Sequence, residues 1–322
     1  MRKHGTIAIA LLLTLAFGAS ACTAAPAATE PTPAAAEPAA TPEAVPAETP
    51  EASADPAVTP DPNKKALLVV SFGTSYNESR ALTIEAIEKV IADAYPDYEM
   101  RRAFTSQTII DKLKDRDGLE IDNVEQALER LIADGIGTLA VQPTHVMSGF
   151  EYDEMIAAIK PYESKFTSVS YGLPLLTSDA DYQEVVSILQ EEIAPYNVEG
   201  TAIVFMGHGT HHEANATYAK LQQAVSGSGM DNCLIGTVEA EPSLEDVMAA
   251  VEQSGAKKVV LLPFMIVAGD HANNDMAGDE EGSWKTAFKG EGYEVECVIK
   301  GLGEYKGIQK MFVEHAGDAI GQ

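Results

Sequence analysis

From residue 66 onward the chain alternates unbroken apolar runs with stretches of helical spacing, and that alternation narrows the fold more than any other feature. The run ALLVV at 66–70 carries no polar residue on either face, so it reads as a strand covered on both sides. It feeds a polar turn, SFGTS, at 71–75. Helical spacing follows over 82–94 and again over 124–133, and Gly135 then precedes a strand at 138–141. The second half behaves alike: strand 202–206, helix 217–225, strand 233–238, helix 244–253 and a buried strand over 259–267. This order predicts an α/β fold with mostly parallel sheet flanked by helices.

The halves also echo each other. LVVSFGT at 68–74 lines up with VFMGHGT at 204–210, and the strands ending at Pro143 and Pro263 each lead to a glycine six residues on, Gly149 and Gly269. A true duplication predicts two similar lobes, 66–195 and 196–322, facing a cleft. The alternative is that strand-to-turn junctions of α/β proteins look alike.

The first 65 residues follow other rules. Arg2, Lys3 and His4 precede an apolar run at 7–17, and the small residues Gly18, Ala19, Ser20 and Ala21 lead to Cys22. The run is too short for a bilayer span, which needs about 20 residues. It reads as a signal peptide over 1–22 with a lipobox-like end at Cys22, although Ala19 stands where Leu is more usual; an ordinary signal peptide cut nearby is the alternative. Residues 23–65 read as a disordered Pro/Ala/Thr/Glu-rich linker, because ten of the 17 prolines fall between 23 and 62. Export follows, with the folded part at the extracytoplasmic face of the membrane as a lipoprotein, or in the periplasm, and membrane contact only through the lipid.

Charge excludes one partner class. The chain has 49 acidic and 22 basic side chains, a formal charge of −27, and residues 66–322 keep about −24 of it. Nucleic acid needs clustered Lys and Arg, so it is not a partner. Three cysteines cannot make a disulfide framework, and spacing alone does not tell whether Cys233 and Cys297 meet.

Ligands of open α/β sheets bind beyond the carboxyl ends of strands. His208, between Gly207 and Gly209, follows the strand at 202–206; Glu239 ends that at 233–238; His271 lies past that at 259–267. Two imidazoles and a carboxylate suit Co, Ni, Fe or Zn, although each residue alone could equally serve a turn or the surface. His211 and His212 add at most one further imidazole, and His145, at the matching strand end of the first half, could line the same cleft. His315 reads as an exposed residue of a terminal helix. The acidic run Asp270, Asp275, Asp279, Glu280 and Glu281 reads as a solvated loop, or else as a device that concentrates cations.

At these residues a family resemblance emerges. ALLVVSFGTSY at 66–76, RAFTSQTIIDKL at 102–113, MGHGTHH at 206–212 and VAGDHANNDM at 267–276 resemble the anaerobic cobaltochelatases. The likeness continues through GLGE at 301–304 and MFV at 311–313. It implies a chelatase fold of two similar lobes around a tetrapyrrole cleft, and insertion of Co2+ into sirohydrochlorin for cobalamin synthesis, a lyase reaction forming nitrogen–metal bonds. His208, Glu239 and His271 fall where the family has its catalytic and metal-binding His, Glu and His. Ser71, Gly73, Thr74, Arg102 and His145 are the expected substrate contacts, with Arg80, Arg101 and Lys112 as further cations for the substrate's carboxylates. Co2+ enters as substrate, with Fe2+ or Ni2+ as alternatives, and no organic cofactor is required. The family is cytoplasmic as a rule. The leader therefore leaves iron or haem handling open as the physiological role, bound haem included, as it does a homo-oligomer, an uptake transporter as partner, and a rival reading as a binding lipoprotein without turnover.

Overall fold

The computed structural model describes residues 58–321. The leader, Cys22 and the linker up to residue 57 lie outside the described residues. The chain runs β1 (Asp61–Ser71), α1 (Asn77–Leu82), α2 (Ile84–Ala94), β2 (Glu99–Phe104), α3 (Gln107–Asp117), α4 (Val124–Ala133), β3 (Ile136–Pro143), α5 (Phe150–Ile159), β4 (Ser168–Tyr171) and α6 (Asp179–Ile193). It continues with β5 (Thr201–Gly207), α7 (Ala216–Gly227), β6 (Cys233–Thr237), α8 (Leu244–Ser254), β7 (Lys258–Pro263), α9 (Trp284–Gly290), β8 (Glu294–Cys297) and α10 (Lys306–Ile320). No helix among the described residues is long and apolar enough to cross a membrane.

The strands form two parallel sheets of the same order, β2-β1-β3-β4 and β6-β5-β7-β8. In each, the first strand in sequence is central, and the chain steps once to one side and then twice to the other. The repeat read in the sequence is thus a repeat of topology. Val70 pairs with Ala103 and Pro143, as Met206 pairs with Gly236 and Pro263. Both central strands are covered on two faces, with Ala66–Val70 and Ala202–Met206 at most 1% exposed, which is why they read as unbroken apolar runs.

The lobes share one core. Leu67, Val69, Ile87 and Ile91 of the first half and Ile203, Phe205, Val260 and Leu262 of the second belong to one cluster with side chains of α6 and α10. The last helix, α10, returns to pack on α2, β3, β4 and α6 of the first lobe. His315 on α10 is accordingly buried rather than exposed: its Nδ1 meets the Leu173 carbonyl at 3.1 Å and its Nε2 meets Asp181 Oδ1 at 3.3 Å.

Other departures from the sequence reading have local causes. The linker ends earlier than expected, because β1 begins at Asp61. Its exposed residues 61–65 pair with β3 through a register shift, with Asp61 opposite Ile136 and Lys65 opposite Thr138. Backbone pairing of this kind leaves no apolar signal. The helix expected over 82–94 is α2, beginning at Ile84; a short helix, α1, that the sequence reading did not include precedes it and is separated from it at Thr83, whose hydroxyl donates to the Ser79 carbonyl. The strand expected to reach 267 stops at Pro263, and residues 264–267 turn to wall the cleft instead. Cys233 and Cys297 are both free thiols.

Strand β2 shows how an edge strand hides in sequence. Arg101 pairs with Glu99 and Asp134, while Arg102 engages the carboxylate of Glu88 on α2 with two donors, Nε at 2.7 Å from Oε1 and an Nη on Oε2. The Glu88 side chain is 2% exposed, and burial raises its carboxyl above the usual range against the pull of Arg102. Arg102→Met would leave that carboxylate without a counter-ion and destabilise the fold by about 3 kcal/mol near neutral pH. An acid whose folded pKa is raised favours folding below its ordinary pKa and loses that contribution as pH rises. The deficit measured by urea unfolding is therefore expected to be small near pH 4 and to grow towards pH 8.

Candidate metal centre

Each member of the trio sits just past the carboxyl end of a strand in the second sheet, or past the run that continues one. His208 follows β5, and its loop is drawn tight against its surroundings. A Cβ on Gly207 would come within 2.3 Å of the Tyr218 ring, and Gly209, at φ +85°, lies too close to Ala240 to carry one. The buried Tyr218 hydroxyl accepts the Gly209 N–H at 3.2 Å, which pins the loop from beneath. Glu239 follows β6, its N–H held by the His208 carbonyl at 2.9 Å. His271 is the second residue of the short turn of helix, begun at Asp270, that runs into the π-helical residues Ala272–Met276.

Hydrogen bonding fixes both tautomers. His208 Nδ1 lies 2.8 Å from the Gly209 carbonyl, and His271 Nδ1 lies 2.7 Å from Asp275 Oδ2. Both partners can only accept, so Nδ1 carries the proton and Nε2 keeps its lone pair. The two rings stand edge to face with centroids 4.7 Å apart, and His208 Nε2 is 3.9 Å from Glu239 Oε1. One donor atom from each of His208, Glu239 and His271 lies within 4.8 Å of the others. Two imidazole nitrogens and a carboxylate match the donor preferences of Co2+, Ni2+, Fe2+ and Zn2+. Three protein ligands leave coordination positions open, and the side chains are 31–52% exposed. Such a set suits an ion held for transfer better than one locked in place.

His208 and His271 line a cleft of about 290 Å3 that both lobes wall, with Glu239 beside His208. The first lobe supplies Phe72, Ile84, Ile109, Val146 and Met147. Phe72 is the counterpart of His208 in the topological repeat, so one wall carries donors where the other carries an apolar ring. Gly73 and Thr74 line the cleft, and Gly73 needs its positive φ of 100° because a Cβ would lie 2.6 Å from the Phe104 ring. Ser71 also lines it, but its hydroxyl is 2.7 Å from that of Thr144. His145 borders the cleft from the first lobe. Its pKa falls to about 4 because burial disfavours the imidazolium.

The expected cations are elsewhere. No Lys or Arg among the described residues lines the cleft. Arg102 is held by Glu88, Arg101 by Glu99 and Asp134, and the buried Arg80 by Glu85 and Asn77. Lys112 borders a separate depression with Ser75, Tyr76, Asn77 and Arg116. His212 stands apart from the trio: its Nδ1 accepts the Ala214 N–H, while Nε2 reaches Asp153 at 3.4 Å and its ring packs on Phe150 of α5. His211 is exposed.

A family model described as cobalt chelatase (CbiK) matches residues 65–321. A sirohydrochlorin cobaltochelatase of Salmonella typhimurium is 40% identical over 257 residues, which are 80% of this chain and 97% of that one. The chain belongs to the cobalt chelatase (CbiK) family. A second relative, the sirohydrochlorin cobaltochelatase CbiKC of Nitratidesulfovibrio vulgaris, is 29% identical over 259 residues, 80% of this chain and 91% of that one. Among solved structures, SirB from Bacillus subtilis with Fe3+ superposes with a TM-score of 0.55 at 15% identity, covering 80% of this chain and 98% of its own. CbiX, described as the terminal enzyme of siroheme biosynthesis in denitrifying bacteria, gives 0.50 at 15% identity, covering 79% and 99%. Those two likenesses concern the fold, and they agree with two parallel sheets flanked by helices.

Within this cobalt chelatase fold, the sequence reading missed the groups that orient the trio. Tyr218 carried no signal beyond helical spacing. Asp275 did carry one, standing four residues after His271 and therefore on the same side of a helical turn, but the acidic run around it masked the pairing. Asp275→Ala would free the His271 ring to rotate and take up either tautomer. Loss of such a partner typically weakens metal affinity about 10–100-fold, which a Co2+ titration followed in the visible d–d bands would show.

Proposed function

We propose that this chain inserts Co2+ into sirohydrochlorin, with release of two pyrrole protons. The observation that carries the reading is the convergence of His208, Glu239 and His271 within 4.8 Å, with both imidazoles lining an apolar cleft. The sirohydrochlorin cobaltochelatases named above are its relatives over almost their whole length.

The residues divide the work by chemistry. The macrocycle lies between the lobes with one face on Phe72 and its apolar neighbours and the other towards the trio. Its carboxylates stay at the open side in water, because the cleft holds no cation to receive them. His208 and His271 present the metal through Nε2. Glu239 offsets the ionic charge and takes up a proton as the pyrrole nitrogens exchange hydrogen for metal. His208→Ala is expected to lower insertion by about 100-fold or more, while the full-length protein still binds sirohydrochlorin. An absorbance assay run anaerobically against a no-enzyme control measures both. Turnover near wild type would overturn the role of His208. Stoichiometric binding by the wild type without acceleration would make the protein a carrier. Fe2+ and Ni2+ belong in the same assay, since the donor set accepts them.

We further propose that the chain is exported and held at the membrane by lipid on Cys22. The basis is the basic start, apolar run and small residues before that cysteine. Cys22→Ser is expected to move the protein from the membrane fraction to the soluble fraction of the producing cells. A wild-type protein already soluble would refute the anchor.

A further inference from the structure

His145 is the anomaly of the first-lobe wall. Both ring nitrogens are covered and neither has a hydrogen-bond partner, although the residue as a whole is part-exposed and borders the cleft. A buried nitrogen without a partner is uncommon and destabilising. The neighbouring polar groups do not relieve it: Ser71 and Thr144 bond each other, and Gln142 donates to the carbonyls of Pro143 and Leu173 while its own buried Oε1 also lacks a partner. The charge that acts on it is that of Glu151, which also lines the cleft. A carboxylate of the substrate would meet Glu151 and Asp270 here and no Lys or Arg. An N–H donor meets no such repulsion.

We propose that His145, turned towards the cleft, accepts a hydrogen bond from a pyrrole N–H of the metal-free tetrapyrrole, from the lobe opposite His208, Glu239 and His271. This rests on the chelatase reading above and deepens it. The turn is about the Cβ–Cγ bond, whose torsion is broad for histidine. Burial keeps the imidazole neutral and hence an acceptor. The metallated product has lost its N–H groups, so the contact favours substrate over product and its loss eases release.

The test compares binding of sirohydrochlorin and of its cobalt complex by the full-length protein, with His145→Leu and His145→Gln beside the wild type. Leu removes the unpaired polar group at similar size, so His145→Leu is expected to melt higher than wild type. Its affinity for metal-free sirohydrochlorin falls about three- to tenfold, the range of one hydrogen bond. Its affinity for the cobalt complex stays within about twofold, well short of the tenfold that 1.4 kcal/mol represents. His145→Gln retains an acceptor and keeps the preference for the metal-free form. Equal weakening of both ligands would overturn the proposal in favour of a peripheral contact. Unchanged metal-free affinity would overturn it too, as would a lowered melting temperature without altered preference, or loss of the preference in the Gln variant. A wild type that prefers metal-free sirohydrochlorin yet does not metallate it would defeat the chelatase reading and leave this contact standing.

Discussion

Burial of the central strands on both faces is the constraint on which the rest depends. With 66–70 and 202–206 closed off by helices on either side, those strands offer no surface for polar chemistry along their length. Their backbone groups are satisfied by parallel neighbours, so the first place where polar side chains can gather is the loop beyond the carboxyl end. Parallel pairing then brings the loops after β5, β6 and β7 to one edge. His208, Glu239 and His271, 31 and 32 residues apart in sequence, meet there without any long-range device beyond the sheet itself. The shared core of α6 and α10 does the remaining work by holding the first lobe across from that edge.

The site is ordered in its orientation and open in its coordination. Each imidazole has its Nδ1 proton tied to an acceptor that cannot donate, a carbonyl for His208 and a carboxylate for His271. The tautomers are thereby set before any ion arrives. Yet the three donors come from separate loops, remain partly exposed and leave positions vacant around an ion. A structural metal site closes those positions; a transfer site needs them for the incoming nitrogens of the acceptor. Ligand preference follows the same logic, because imidazole and carboxylate hold several divalent ions and discriminate weakly among them.

What the sequence disclosed tracks burial. The central strands were legible because covering both faces demands apolar residues without interruption, and the trio was legible because each member lies past a strand end, although the strand before Glu239 is interrupted by Gly236 and Thr237. Edge strands β2, β4 and β8 are partly exposed and carry charges or small polar residues; β4 and β8 do alternate, but over only four residues each, too short a run to stand out. The arginines were misassigned for a related reason. Arg102 reads as a free cation until α2 folds Glu88, fourteen residues earlier, against it, and local spacing holds no record of that contact. His315 similarly looked exposed because its partners, Leu173 and Asp181, are more than a hundred residues away. The motif resemblance reached the family, but the orienting contacts of Asp275 and Tyr218 are visible only in the fold.

Charge explains why the cleft takes this composition. A domain near −24 draws divalent cations and repels a polyanionic tetrapyrrole over distances of about a Debye length. Direct pairing could have countered that repulsion, but the nearby arginines are bound to acids within the fold and none lines the cleft. On the function proposed above, docking relies on burying the macrocycle against Phe72 and the aliphatic side chains around it, with the carboxylates left in water. The charged groups that do line the cleft, Glu151 and Asp270, are acidic and add to that repulsion. On the proposal made above, His145 faces the trio from the first lobe, so the ion approaches from one side and the macrocycle finds a polar contact on the other.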